Sequence, residues 1–242
     1  MLLGLIFLAL SFGEMRECEE VLSAQTFRVS ELGAGIYLVK FKTSREMNHS
    51  LLRFSEHQEN IFFRGKIFSL QEYKAWYRKQ PFGGGKFSYY SDWVGHNLKM
   101  SSFDPFIQGS FKNLTLREKR LIQFIRKLPA NAYLIVNAED SEGGVIEHEL
   151  AHALFAVDPV YRRAATKILE SINVYPAYKW LKENIYHPSV FVDETQAYLM
   201  ESSVDPKGSE EVFGRQNISV AASKLKRLFQ RRIRELGIRV KT

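Results

Sequence analysis

The run GGVIEHELAHALFAVDP, Gly143 to Pro159, constrains this chain more than any other segment. From Val145 to Val157 it contains no Gly or Pro, and Ile146, Leu150 and Leu154 recur four apart, so it reads as one amphipathic helix anchored by an apolar face. Two glycines open the segment, and Asp158 before Pro159 marks a helix break with a cap for the next helix. His148 and His152 are also four apart. On a helix that spacing leaves two side chains about 40° apart around the axis and ~6 Å apart along it, so both imidazoles can point at one ion.

Glu149 stands beside the two histidines and is not needed as a ligand. It is placed to orient and deprotonate a water, which is the arrangement of a zinc hydrolase. Cys18 is the only cysteine, so a cysteine-based zinc site and a disulfide framework are both excluded. Any metal is held by His and carboxylates. A catalytic zinc needs a third protein ligand and an open position. Asp158 and Glu194 are the candidates, and Glu194 is preferred, because its segment, FVDETQAYLM, reads as a helix with Glu194, Tyr198 and Glu201 on one face. Two carboxylates and a phenol on one helical face are expensive to bury without a purpose.

The pair HELAH and DETQAY resembles the zincin metallopeptidases, and within them the gluzincin group, in which the third ligand is a Glu on a later helix. The wider run from FRGKIF to DETQAYL is also similar to small prokaryotic proteins carrying the same site. The resemblance implies zinc ligands His148, His152 and Glu194, Glu149 as general base and proton shuttle, and a peptide or protein substrate. Metzincins place a ligand where Asp158 stands but turn the chain with a glycine, and here that position is Phe155. In many gluzincins an Asp four residues after the third ligand supports a zinc histidine; here it is Tyr198. Tyr198, Tyr186 and His187 are candidates to stabilise a developing oxyanion, with Tyr198 and His187 taken as catalytic. His96 reads as a packing or groove residue.

At 242 residues, with 45% hydrophobic and 13% aromatic content, the chain suits one compact domain. The expected class is α+β and zincin-like: a small N-terminal mixed or antiparallel sheet, then a mainly helical C-terminal half carrying the metal-binding helix. Strands are expected between Thr26 and Phe68, including NIFFRGKIF, and from Ala132 to Asn137. Helices are expected after Ser69 and Thr115, at 145–157, and over 159–173, 176–186, 190–203 and 220–236. The aromatic stretch KFSYYSDWVGHN reads as sheet packing or as a wall of a substrate groove. Residues 1–25 form a leader or extension and 26–242 the domain.

The formal charge of +7 comes from the tail, where Lys224 to Thr242 holds eight of the 34 Lys and Arg but one of the 27 Asp and Glu, leaving 26 of each in the body. This tail, 218–242, reads as a docked helix with a solvated basic face, open to weak contact with an anionic surface but with no specific nucleic-acid role. The alternative function is a non-catalytic zincin-fold protein using that helix to bind an anionic partner. The apolar start could pass for a signal peptide over residues 1–13, but it lacks a positive n-region, and a cytoplasmic location is favoured over export. Oligomeric state is not legible.

Overall fold

The computed structural model describes residues 27–80, 84–141, 144–201 and 206–240; the expected leader or extension at 1–25, with Cys18, lies outside the described residues. The chain opens with an antiparallel hairpin of β1 (Phe27–Gly33) and β2 (Ile36–Phe41). Ala34 and Gly35 both have positive φ, the backbone that a two-residue hairpin loop needs to match the strand twist. β3 (Gly95–Lys99) and β4 (Tyr133–Ala138) complete one mixed sheet of order β1-β2-β4-β3, with β4 parallel to β2 and antiparallel to the edge strand β3. The architecture is α+β, with strands confined to the first 138 residues and a helical remainder.

Helices cover both faces of the sheet. On one face α1 (Ser44–Glu59), α2 (Leu70–Tyr77) and α3 (Leu116–Ile125) bury Met47, Leu51, Tyr73 and Leu121 against Val39, Phe41 and Val136 of the sheet. On the other, α4 (Val145–Val157), α5 (Pro159–Leu169), α7 (Phe191–Glu201) and α9 (Ser219–Glu235) bury Leu150, Leu154, Leu199 and Leu225 against Ile36, Leu38 and Ile135. Alternate residues of β2 and β4 therefore feed opposite cores, as period-2 side chains must. α6 (Tyr175–Glu183) and α8 (Pro206–Phe213) pack on each other beside this second layer. The late helices match the expectation to within a few residues, except α8, which was not anticipated.

Two expectations change. Residues 44–59, within the segment read as strands, form α1, capped by the Thr43 side chain accepting from the Glu46 N–H. Its buried face carries polar groups with specific partners, so the hydrophobic period is weak. NIFFRGKIF forms no strand: the Asn60 side-chain oxygen accepts from the N–H of Phe62 and Phe63 and curls the chain, and Gly65 takes φ 70°. α9 docks by Leu225, Leu228 and Phe229, and Arg232 donates to Asp158 at 2.6 Å, so the basic tail is a packed helix with a charged outer face. Among the described residues no helix is long and apolar enough to cross a membrane.

Arg53 of α1 and Glu118 of α3, 1% and 3% exposed, form a two-pronged ion pair at 2.7 and 2.6 Å. Glu118 also accepts from the Thr115 N–H in a capping box, so one carboxylate ends a helix and neutralises a buried guanidinium. Replacing it strands a buried charge. Glu118→Ala is expected to cost about 3–5 kcal/mol in urea unfolding, against a smaller loss for the apolar pair Arg53→Met with Glu118→Leu; equal losses would show that the lost pairing is not the cause.

Candidate metal centre

α4 follows β4 by a short connection, enters its first turn from Gly144 in left-handed backbone (φ 97°), and is crossed by α7. This crossing brings together the residues predicted from the sequence. His148 and His152 of α4 and Glu194 of α7 offer ligand atoms that all lie within 4.8 Å of one another. The two Nε2 atoms are 3.2 Å apart, and His152 Nε2 is 3.7 Å from Glu194 Oε2. His152 and Glu194 are 1% and 4% exposed, so the group is set into the protein and not on a solvated face.

The outer nitrogens explain the orientation of the inner ones. His152 Nδ1 is 2.9 Å from Asp193 Oδ1, and His148 Nδ1 is 3.0 Å from Glu201 Oε2. Carboxylates accept only, so each imidazole donates its Nδ1–H and presents Nε2 as a lone pair. Two lone pairs facing each other at 3.2 Å, with a carboxylate oxygen alongside, repel unless a cation or proton lies among them. The supporting carboxylates are the residue before Glu194 and the one seven after it. Tyr198, four after, stacks edge-on against His148 at 5.0 Å between ring centres.

The field has the same sign. Burial opposes charge on His152, but Asp193, Glu194 and Glu149 outweigh it and hold its pKa well above the usual imidazole range. Burial pushes the Glu194 carboxyl well above its ordinary range; His152 opposes this, and Glu59, Asp193 and Glu149 add to it. Glu59, at the end of α1, is pushed up to about 7, chiefly by burial. Neither its sequence context nor its spacing gave any sign that it faces this site.

Glu149 points into the same space. The Asn97 side-chain amide of β3 donates to its Oε2 at 3.2 Å, while Asn97 Oδ1 accepts from the Tyr133 hydroxyl at 2.7 Å. Burial raises the Glu149 pKa, with His148 and His152 opposing. Gly95 is what lets β3 pass so close. A Cβ there would lie 2.5 Å from Glu149 Oε1 and 2.7 Å from a methyl of Val145. The glycine and asparagine of WVGHN were the available signal for this support.

A cavity of about 280 Å³ opens on the group, lined by Glu149, Trp93, Tyr186 and Tyr198 among others. A second, of about 430 Å³, adjoins it on the side of Glu59, Asn97 and Glu194. Tyr198 and Tyr186 thus border the centre, with pKa values raised by burial. His187 does not join them: its Nδ1 lies 2.9 Å from Ser189 Oγ, capping its own turn. Asp158 is a helix cap, accepting from the Val160 N–H at 2.9 Å. His96 is buried between Ser55 Oγ and Asn48 Oδ1, held down to about 3 by burial, and sits on the cavity wall as a neutral packing residue.

Glu56, one turn before Asn60 in α1, is also pushed up to about 7, by burial against the opposing phenols of Tyr73 and Tyr89 and the Asn60 amide. Glu56 and Glu59 therefore hold protons in the folded state that the unfolded chain has released. Their contribution to stability is complete below the ordinary carboxylate pKa and is lost as pH rises through about 7. The metal-free protein is expected to unfold at lower urea at pH 8 than at pH 6, with the difference reduced in Glu56→Gln; a pH-independent midpoint would contradict the assignment. The chain matches no protein-family model, no curated protein and no solved structure, so the geometry of this centre carries the functional reading.

Proposed function

We propose that this protein is a zinc-dependent hydrolase of zincin type, a metallopeptidase with a peptide or protein substrate. The observation that carries the reading is the pair of Nε2 atoms 3.2 Å apart, each imidazole backed by a carboxylate and both beside Glu194. The donor set fits the ion: two imidazoles and one carboxylate are the ligands of a catalytic zinc site, with one side facing a cavity. When bound, zinc supplies Lewis acidity and a water of lowered pKa. His148, His152 and Glu194 would hold it.

The chain's own residues supply the proton work. Glu149 accepts a proton from the attacking water and delivers it to the leaving nitrogen, a role that needs a carboxylate close to the ligands but not ligating. Asn97 keeps that carboxylate aimed, since its amide donates to Oε2 and its own oxygen is fixed by Tyr133. Burial raises the Glu149 pKa, which makes it a stronger base for this transfer. Tyr198 and Tyr186 border the cavity and supply phenolic donors for an oxyanion. The two adjoining cavities give an extended chain room on both sides of the reacting bond. A non-catalytic reading of the same fold leaves Glu149, Asn97 and Gly95 without a purpose.

The purified protein is expected to bind one zinc per chain. Asp193→Asn and Glu201→Gln each weaken zinc about 10–100-fold in competition with a chelator, because each imidazole loses the partner that sets its tautomer. Unchanged affinity in both would remove the ligand assignment. Glu149→Gln keeps the metal and loses hydrolysis of a casein or peptide-library substrate by at least ~100-fold. Full activity in that variant would sink the role given to Glu149.

A further inference from the structure

Beside the metal centre lies a third cavity, of about 320 Å³, in the range of small-ligand sites and large enough for one long side chain. It shares Asp92, Trp93, Tyr186 and Tyr198 with the cavity over the two histidines, so the two spaces adjoin. Tyr198 is the common wall. Its ring meets His148 at 5.0 Å and Trp180 at 5.2 Å, both edge-on. A group bound in the third cavity would lie one ring away from a proposed zinc ligand.

The composition of the walls defines the occupant. Six aromatic rings line the cavity, from Tyr73, Tyr77, Trp93, Trp180, Tyr186 and Tyr198, and the one acidic or basic lining residue is Asp92. Asp92 is held in place by Tyr77, whose hydroxyl donates to it, and by Ser88 Oγ at 2.8 Å. The neighbouring cavity adds Glu59, Glu149, Glu194 and Glu201, with no Lys or Arg among its described lining residues. The cavity on the other side of the centre sets Arg64, Lys99 and Arg162 against Glu59, Asp193 and Glu194. A cation is therefore drawn to the aromatic side and an anion away from it. The Trp93 indole N–H is buried and finds no acceptor among the described residues, so Trp93 serves the cavity as an aromatic wall.

We propose that this aromatic cavity receives the cationic side chain, Arg or Lys, of a substrate residue next to the bond that is cut. The ring faces and Asp92 bind the charge. The cavity's place in substrate recognition rests on the hydrolase reading above, but its preference for a cation does not.

The test separates the two. N-acetyl-arginine amide, its neutral isostere N-acetyl-citrulline amide and N-acetyl-phenylalanine amide are titrated into the full chain, with zinc and with zinc chelated, and followed by tryptophan fluorescence. The arginine amide is expected to bind about tenfold more tightly than the citrulline amide in both states, an advantage reduced in Asp92→Asn and at high salt. Equal binding of arginine and citrulline amides, or tighter binding of the phenylalanine amide, overturns the proposal whether or not the protein hydrolyses peptides. If the arginine preference holds while zinc fails to bind, the metal reading falls and the cation site stands.

Discussion

Two imidazoles whose Nε2 atoms face each other at 3.2 Å, in a buried setting crowded with carboxylates, define what the rest of this protein must hold in place. Attraction between His152 and its carboxylates works against the cost of burying them all. The group persists because each imidazole is tied from behind, His148 to Glu201 and His152 to Asp193, and because α4 and α7 are packed by apolar faces that repay the desolvation. The site is polar on the side where α4 and α7 meet the cavity and hydrophobic on the side where they meet the sheet. Leu150 and Leu154 point to the core from the same helix that presents the two histidines.

The sheet serves this centre in two ways. Its central strand β4 delivers the chain into α4, and its edge strand β3 passes along the open side, where Asn97 meets Glu149. The close passage depends on Gly95, since any Cβ would occupy the place of the Glu149 carboxylate. On the opposite face, α1 contributes Glu59 to the cavity while Arg53, Asn48 and Ser55 of the same helix are bound by Glu118, His96 and backbone carbonyls. Polar groups buried in this way give specific geometry only because nearly all are satisfied.

The charge distribution around the centre is uneven. Aromatic rings gather with carboxylates on the Trp93 and Tyr198 side, whereas the cavity on the Glu59 side mixes Arg64, Lys99 and Arg162 with Glu59, Asp193 and Glu194. On the proposed hydrolase reading, a substrate crossing the site would meet different walls on its two sides, a basis for discrimination. The strongly basic C-terminal helix takes no part in these walls. It is docked through Leu225, Leu228 and Phe229 and joined to the α4–α5 junction by Arg232 and Asp158.

What could be read from the sequence was local. The four-residue spacing of His148 and His152, the apolar stripe behind them, the Thr115 and Ser69 caps and the Asp158-Pro159 break all act within one helical turn, and periodicity and capping report such contacts directly. Glu194 was legible for a related reason, because a carboxylate sharing a helical face with Tyr198 and Glu201 in an apolar helix needs an explanation. α1 was missed because its apolar residues Met47, Leu51 and Phe54 are interleaved on the buried side with Asn48, Arg53 and Ser55, whose partners lie 40 or more positions away and which blur the apolar period. Only the tertiary structure decided that Asp193 and Glu201 back the imidazoles, that Asn97 aims Glu149, that Glu59 enters the cavity and that His187 stays out of it. All but the last depend on the meeting of side chains far apart in the chain, which no local rule of spacing or propensity encodes.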